Sequence, residues 1–337
     1  MSSELHNSRR DFLIKGAIAS LGLFAVNKSF AGMLAKPNSK FAGVQIGTIT
    51  YSYRSMPGSL DDIIKYCNEA GISALELMGD PVEEFAGKPK NPVQFKFVPG
   101  QRPTFTDEQR AQMAQYQKDT KAWRDSVGME KFHEARKVLD KAGISVYAFK
   151  PNVFNANNTD AEIEWGLQVA KILGAKSVTV ELPTDPKQTQ RLGDLGAKHG
   201  IYFGYHAHLQ ATDTAWDTAL AQSPYNSLNL DCGHYIAAGG PNTVDTLLKL
   251  IENKSDRITS MHLKDRQNKE HGGANLAWGK GDTPIPQILK LIRDKKYKFP
   301  VTIELEYDVP ADSDASKEVK ICVEYACLLY TSPSPRD

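Results

Sequence analysis

The sequence has almost no excess charge of either sign and few cysteines. Its 41 Lys and Arg residues face 40 Asp and Glu residues, without a basic run. Proteins that bind nucleic acid neutralise phosphates with clustered basic residues, so we expect no nucleic-acid partner. The absence of Cys-x-x-Cys spacing indicates neither a zinc ribbon nor a disulfide framework, and we expect no structural disulfide. The four cysteines are scattered, at Cys67, Cys232, Cys322 and Cys327.

The apolar stretch near the N-terminus, Gly16–Val26, is too short to span a bilayer as a mature helix. It follows the paired arginines Arg9 and Arg10 and precedes Ser29-Phe30-Ala31, a small-x-small site for a signal peptidase. This order resembles a twin-arginine export signal. We therefore expect a signal peptide over residues 1–31, a linker over 32–42, and a periplasmic protein without stable membrane association after cleavage.

The C-terminal residues 327–337, CLLYTSPSPRD, resemble a translated sequencing-library adapter. They follow abruptly on a helix-like segment, Lys317–Ala326. We expect this tail to be an artefact that truncates the natural last helix, and we assign no function to it.

Between these ends, short β-branched runs alternate with amphipathic helical patterns, several of which end at glycine. This alternation is typical of βαβ units and a parallel sheet. Eight strands, each followed by a helix, predict an α/β fold, a single-domain (β/α)8 TIM barrel over residues 43–326. The predicted strands are Val44–Thr50, Ala74–Leu77, Val146–Phe149, Ser177–Glu181, Tyr202–His206, Ser227–Asp231, Ile258–Leu263 and Pro300–Glu304.

One interval, residues 79–128, is rich in Pro, Gly and Gln and contains a polar helix at about Thr106–Arg124. Because it follows the second strand, it would lie over the C-terminal mouth of the barrel. Either it is a lid that closes on a ligand, or it is a surface insertion.

The strand ends are strongly polar. In a barrel of this kind they converge on one mouth, where function is expected. The motif NLDCGH has two interpretations. Asp231 could cap a turn beside a His234 without a function, or both side chains could face one pocket. The other polar residues at strand ends are Glu76, Lys150, Glu181, His206, His208, His262, Lys264, Asp265, Glu304 and Glu306.

Several carboxylates buried in one mouth would neutralise by protonation unless a cation sat among them. Glu181, Asp231, His262 and Glu304 end strands four, six, seven and eight. Three carboxylates and one imidazole form an oxygen-rich set that suits Mn²⁺ or Mg²⁺, with Co²⁺ or Zn²⁺ as alternatives. We therefore predict one divalent metal ion as the cofactor.

These motifs resemble the xylose isomerase-like TIM barrels, often called sugar phosphate isomerases/epimerases. The resemblance spans about Gly43–Ala326 and is most specific in VTVELP, LDCGH, HLKD, GKGD and TIELEY. It implies a metal held by Glu181, Asp231, His262 and Glu304, the two glutamates on either face of a bound ketose, and His234 in contact with substrate hydroxyls. The sequence departs from the ketose 3-epimerases of this family, since Arg266 lies closer to His262 than their arginine does.

The chemistry expected of this site is isomerisation or epimerisation of a free or keto-sugar, by proton abstraction next to a carbonyl through a metal-stabilised enediolate. Glu181 or Glu304 would be the base. Lys150, Lys264 or His208 would bind the substrate and stabilise oxyanions, while His206 and His208 could instead form a second metal site. Trp123 or Trp278 could stack on a sugar, although packing is the more common role of such residues.

Two alternatives stay open at this point. The same site could perform elimination or hydration, as a 3-keto-glycoside lyase or hydratase, or the barrel could bind sugar without catalysis. Homo-oligomerisation also stays open.

Overall fold

A computed structural model describes residues 36–93 and 104–331 of the chain. Within them, eight parallel strands form the wall of a closed barrel. They run in chain order as β1 Val44–Ile49, β2 Ala74–Met78, β3 Ser145–Lys150, β4 Ser177–Glu181, β5 Tyr202–His206, β6 Asn226–Asp231, β7 Ile258–Leu263 and β8 Val301–Ile303.

Each strand pairs with the next along the chain, and β8 pairs with β1 to close the cylinder. In the β8–β1 pairing that closes the barrel, Val301 lies beside Ile46 and Ile303 beside Thr48. A short strand, Lys40–Phe41, adds antiparallel to β1, and the loop after β7 forms a small hairpin from Asp265–Arg266 and Asn275–Leu276.

Helices alternate with the strands. Many begin at a capping residue: Ser59, Thr159 and Thr243 each form a reciprocal capping box that satisfies backbone N–H groups of the first turn. The helices are α1 Leu60–Ala70, α2 Gly79–Phe85, α3 Asp107–Ser126, α4 Glu130–Ala142, α5 Asp160–Leu173, α6 Pro186–His199, α7 Asp217–Gln222, α8 Cys232–Ala238, α9 Val244–Asn253, α10 Ile285–Lys295 and α11 Ala315–Thr331.

The two faces of the barrel wall carry different chemistry. On β6, apolar Leu228 and Leu230 flank Asn229, and alternate residues of a strand point to opposite faces. Asn229 donates a hydrogen bond to Glu76 on β2, a strand that is not a neighbour of β6, so this contact crosses the barrel interior. The interior is therefore polar, and the apolar core lies between the strands and the helices.

The predicted (β/α)8 barrel is confirmed, and strand bounds agree to within two residues. Two short helices were not predicted, α2 inside the interval 79–128 and α8 directly after β6. Helix α11 continues to Thr331, so residues 327–331 of the predicted tail are helical. The predicted signal peptide, residues 1–31, lies outside the described residues.

Helix α3 begins and ends close to the prediction for the interval 79–128. Near its C-terminal end, Trp123 donates a hydrogen bond to the carbonyl of Ala86 and packs edge-on against Trp165, with ring centroids 5.9 Å apart. Trp278 packs in the same way against Tyr325, at 5.9 Å. Both indole rings therefore pack against aromatic side chains of the barrel.

A lid function for the interval 79–128 stays a prediction.

Among the described residues, none of the helices combines the length and the apolar character needed to cross a membrane.

Gly47 on β1 lies against a ring inside the barrel. A Cβ added there would be 2.5 Å from Cε1 of Tyr147 and 2.8 Å from the carbonyl oxygen of Ala74, which belongs to the neighbouring strand. We expect Gly47→Ala to lower the free energy of unfolding by about 1–3 kcal/mol, because the carbonyl oxygen of Ala74 cannot move away from the added Cβ unless β2 shifts. Chemical denaturation measures this.

Gly58→Ala is the matched control, since Gly58 is exposed and an added Cβ meets nothing within 4 Å. Its effect should stay within about 0.5 kcal/mol. Equal stability of the two variants would contradict the close packing at Gly47.

Candidate active site

The carboxyl ends of the strands meet in a cluster of charged side chains at one mouth of the barrel. His262 on β7 lies at its centre, fully buried. Its Nδ1 is 2.9 Å from Oε2 of Glu304, and its Nε2 is 2.9 Å from Oε2 of Glu76. Burial alone would lower the pKa of His262, but these two carboxylates outweigh it and raise the pKa to about 10.

Asp231 has two roles, one for each carboxylate oxygen. Oδ1 accepts a hydrogen bond of 2.7 Å from the backbone N–H of His234 and so caps helix α8. Oδ2 is buried and accepts no hydrogen bond from the described residues. It lies 3.8 Å from Nδ1 of His262 and 3.9 Å from Nε2 of His206. Both alternatives for the NLDCGH motif are therefore partly right: Asp231 caps a helix and also faces the buried cluster.

The ammonium group of Lys264 lies among three carboxylates. It forms ion pairs with Asp231 at 3.0 Å, Glu304 at 2.6 Å and Glu306 at 2.9 Å. Burial would lower the pKa of Lys264, but the charges of Asp231 and Glu304 raise it above its usual value, so the side chain stays protonated. Lys264 is 2 % exposed, and it neutralises part of the buried negative charge.

His206 on β5 joins the same cluster. Its Nδ1 is 3.1 Å from Oδ1 of Asn229, and the amide Nδ2 of Asn229 donates to Oε2 of Glu76 at 3.1 Å and to Ser260 at 2.8 Å. Burial, together with repulsion from His262, lowers the pKa of His206 to about 4. At neutral pH this imidazole is therefore uncharged and has one nitrogen with a free lone pair.

Glu181 lies at the rim of the mouth, with a side chain that is 53 % exposed. Lys150 donates to its Oε1 at 3.0 Å, and Nε2 of His208 is 3.0 Å from its Oε2. Burial acts to raise the pKa of Glu181, but the hydrogen bond from His208 and the charge of Lys150 lower it well below its usual range. The same hydrogen bond raises the pKa of His208.

His234 follows the Asp231 cap on helix α8 and is flanked by two cationic side chains. Its Nε2 is 3.1 Å from Nζ of Lys264, and its Nδ1 is 2.7 Å from a guanidinium nitrogen of Arg266. Burial lowers the pKa of His234 to about 4, so it is a neutral ring at physiological pH. The rings of His208 and His234 lie 4.5 Å apart, which connects the rim to the buried cluster.

The structure brings together three of the four predicted metal ligands: Asp231, His262 and Glu304. Glu181 pairs instead with the predicted substrate-binding residues Lys150 and His208, so its place in the ligand set stays a prediction. Lys264 was predicted to bind substrate, and it also serves as a buried counter-ion.

Sequence reasoning assigned no role to Glu76 or Asn229, and it considered His206 as a ligand only in a second metal site with His208. Glu76 and Asn229 occupy inward positions on β2 and β6, and strand alternation could have found both.

The donor set fits a divalent metal ion. His206, Asp231 and His262 each offer one ligand atom, and these atoms all lie within 4.8 Å of one another. Oδ2 of Asp231, which pairs with Lys264 but accepts no hydrogen bond, and the nearby carboxylate of Glu304 add hard oxygen donors to two imidazole nitrogens, a mixture that suits several divalent ions. A second group, His206, His208 and His234, meets the same distance limit but shares His206 with the first.

The GKGD motif does not form a phosphate cradle. The backbone N–H groups of Gly279, Lys280 and Gly281 all donate to Oδ2 of Asp265, at 2.7 to 3.0 Å. These amides are therefore occupied by a carboxylate of the chain itself, and the motif anchors the loop that follows β7.

Comparison with solved structures shows that the fold is shared with sugar-modifying barrels. A sugar phosphate isomerase/epimerase from Parabacteroides distasonis superposes with a TM-score of 0.56 and 17% identity, covering 91% of this chain and 98% of that one. A 3-keto-D-glucoside 4-epimerase from E. coli gives a TM-score of 0.54 and 13% identity, covering 84% and 98%. A xylose isomerase-like TIM barrel protein from Mycobacterium smegmatis, in complex with magnesium, gives 0.52 and 14%, covering 86% and 97%.

At these identities the likeness establishes the fold alone. A comparison with curated protein sequences gives no significant match. The family model for the xylose isomerase-like TIM barrel matches residues 64–325, which is most of the described barrel. The chain therefore belongs to the xylose isomerase-like TIM barrel family.

Proposed function

We propose that this protein is a divalent-metal-dependent sugar isomerase or epimerase that removes a proton next to a carbonyl group. The observation that carries the proposal is the charge of the buried cluster. Within the part of the chain that the structure describes, the carboxylates of Glu76, Asp231, Glu304 and Glu306 form ion pairs with two cations, Lys264 and the imidazolium of His262. A buried site that keeps excess negative charge favours binding of a further cation.

Asp231, Glu304 and His262 would hold the metal, with His206 beside them, and His262 would release one ring proton to solvent on binding. When bound, a divalent ion supplies positive charge at the carbonyl oxygen on which negative charge develops during proton removal. Mn²⁺ or Mg²⁺ suits the carboxylates, and Co²⁺ or Zn²⁺ suits the imidazoles equally well. The magnesium-bound relative supports a divalent ion in this family without identifying the ion used here.

Glu181 is the better placed of the two predicted bases. Glu304 is committed to His262 and Lys264, whereas Glu181 is half-exposed at the rim, where a substrate can reach it. Its lowered pKa keeps it ionised, and a substrate hydroxyl that displaces His208 or Lys150 would raise its basicity. Lys150 and His208 then remain beside the substrate as hydrogen-bond donors. Glu304 is the candidate for returning the proton.

The substrate we favour is a free or oxidised sugar rather than a sugar phosphate. The GKGD amides are occupied by Asp265, so this segment offers no N–H groups to a phosphate. The name of the E. coli relative, a 3-keto-D-glucoside 4-epimerase, supports testing 3-keto-sugars first. If the substrate carries a β-leaving group, the same proton removal leads to elimination, which is the lyase alternative.

Exchange of substrate hydrogen with solvent tests the proposed reaction. In D₂O, the protein loaded with Mn²⁺ should introduce deuterium next to the carbonyl of a free sugar or 3-keto-sugar, as measured by NMR. Glu181→Gln should lower the exchange rate by about 10²- to 10⁴-fold, the usual contribution of a positioned base. The products separate epimerisation from elimination, and a barrel that only binds sugar would give no exchange.

Glu134→Gln is the matched control for this variant. Glu134 is 52 % exposed and pairs with Lys131 at 3.0 Å, much as Glu181 pairs with Lys150, but it lies on helix α4. It should leave the exchange rate unchanged. Full activity of Glu181→Gln would exclude Glu181 as the base.

Replacing the buried ammonium group tests the charge argument. Lys264→Met leaves Asp231 and Glu304 without their cation, so the metal-free variant should lose about 3–5 kcal/mol of unfolding free energy. Added Mn²⁺ should raise the melting temperature of the variant more than that of the wild type, because the metal no longer competes with an ammonium group. Thermal unfolding with and without metal measures both effects.

Lys131→Met serves as the control, since the exposed pair Lys131–Glu134 contributes only about 0–1 kcal/mol. If neither Mn²⁺, Mg²⁺, Co²⁺ nor Zn²⁺ stabilises the wild type or the Lys264→Met variant, the metal proposal is wrong.

We also propose export by the twin-arginine route, on the strength of residues 1–31 of the sequence. A reporter fused to this segment should reach the periplasm, and the double substitution Arg9→Lys/Arg10→Lys should retain it in the cytoplasm. Cell fractionation measures the difference. Export that persists in the double variant would point to a different route.

A further inference from the structure

Two buried imidazoles at the floor of the mouth are linked through one carboxylate and one amide. His262 contacts Oε2 of Glu76 through Nε2, and His206 contacts Oδ1 of Asn229 through Nδ1. Asn229 in turn donates to the same oxygen of Glu76. The result is one continuous chain, His262–Glu76–Asn229–His206, which crosses the barrel between β7, β2, β6 and β5.

The donors and acceptors of this chain have only one consistent assignment. The N–H₂ group of Asn229 donates one N–H to Oε2 of Glu76 at 3.1 Å and the other to Oγ of Ser260 at 2.8 Å. The carbonyl oxygen of Asn229 then faces His206. Because that oxygen can only accept, the proton of His206 must be on Nδ1. The lone pair of its Nε2 is left free.

The free nitrogen of His206 faces a carboxylate oxygen. Its Nε2 lies 3.9 Å from Oδ2 of Asp231, a buried oxygen that also lies 3.0 Å from Nζ of Lys264. Nδ1 of His262 lies 3.8 Å from the same oxygen and contacts Oε2 of Glu304 at 2.9 Å. The three ligand atoms of His206, Asp231 and His262 lie within 4.8 Å of one another, and Asn229 sets the orientation of the His206 ring.

We propose that Asn229, oriented by Glu76, is a positioning residue that fixes the tautomer of His206, and that His206 is thereby a ligand of the metal ion, in addition to the predicted set. The inference rests on the proposed metal-dependent function and specifies how the site is pre-organised. Ligating histidines commonly donate their second ring N–H to a carboxylate or carbonyl oxygen, and loss of that partner weakens metal affinity.

A structural role alone would also satisfy these buried polar groups, so the test must observe the tautomers directly. Neutral imidazole in water prefers the proton on Nε2, whereas the chain requires it on Nδ1 of His206. Long-range ¹H–¹⁵N correlation spectra of the metal-free protein, labelled at its 8 histidines, distinguish the two forms. We expect His206 to carry its proton on Nδ1 at pH 7.5. A proton on Nε2 in the wild type overturns the proposal.

Glu76→Leu is the most direct variant, because it removes the oxygen that both His262 and Asn229 contact while keeping much of the size of the side chain. We expect a mixture of His206 tautomers and a 10- to 100-fold weaker affinity for Mn²⁺, measured by calorimetry. Asn229→Leu removes the oxygen that accepts from Nδ1 of His206, so we expect it to shift the His206 tautomer further than the Glu76 variant does. Retention of the wild-type tautomer and affinity in a folded Glu76→Leu protein overturns the proposal.

Asn226→Leu is the matched control for Asn229→Leu. Asn226 is an equally buried asparagine on the same strand, but it hydrogen-bonds the backbone of Thr189 and Ala219 outside the barrel. It should lower stability without changing the tautomer of His206 or the Mn²⁺ affinity. An equal loss of affinity in both asparagine variants would mean that general destabilisation is responsible, which overturns the positioning role.

The two readouts separate this inference from the proposed function. If the wild type binds no divalent ion, the metal-dependent function fails, while the tautomer of His206 in the metal-free protein still reports on the hydrogen-bonded chain. If the wild type binds the ion and His206→Leu binds it equally well, the metal function stands and His206 is not a ligand.

Discussion

The buried imidazole of His262, held between Glu76 and Glu304, is the contact on which the mouth of the barrel depends. Glu76 lies on β2 and Glu304 directly follows β8, so this one ring on β7 links three parts of the barrel wall across the interior. Isolated charges at this depth would be strongly destabilising. They are tolerated because His262 and Lys264 supply positive charge to the carboxylates around them.

This arrangement separates stability from function in space. The apolar residues that hold the barrel together lie between strands and helices, where Leu228, Leu230 and Leu263 are fully buried. The inward residues of the same strands are then free to be polar, provided that they satisfy one another. In the buried cluster, as far as the structure describes the chain, Oδ2 of Asp231 accepts no hydrogen bond, and four carboxylates, of Glu76, Asp231, Glu304 and Glu306, pair with the two cations Lys264 and His262. A site left incomplete in this way is suited to a ligand that brings positive charge.

The sequence allowed the barrel and three members of the buried cluster to be predicted, for a clear reason. Asp231, His262 and Glu304 stand at or next to strand ends, and the ends of parallel strands in a closed barrel converge. Glu181 met the same criterion, yet in the structure it pairs with Lys150 and His208 at the rim. Position along a strand gives the level of a side chain, whereas its partner depends on the rotamer and on neighbouring charges.

By itself, the sequence determined the strand and helix pattern, the polar character of the strand ends and the need for a cation, because periodicity and charge are local properties of the chain. Only the tertiary structure decided that Glu76 and Asn229 link His262 to His206, and that Lys264 lies among Asp231, Glu304 and Glu306. These contacts join strands that are distant in sequence and, in part, opposite in the barrel. Closure of the cylinder and the length of each side chain set them, and neither can be read from a linear pattern.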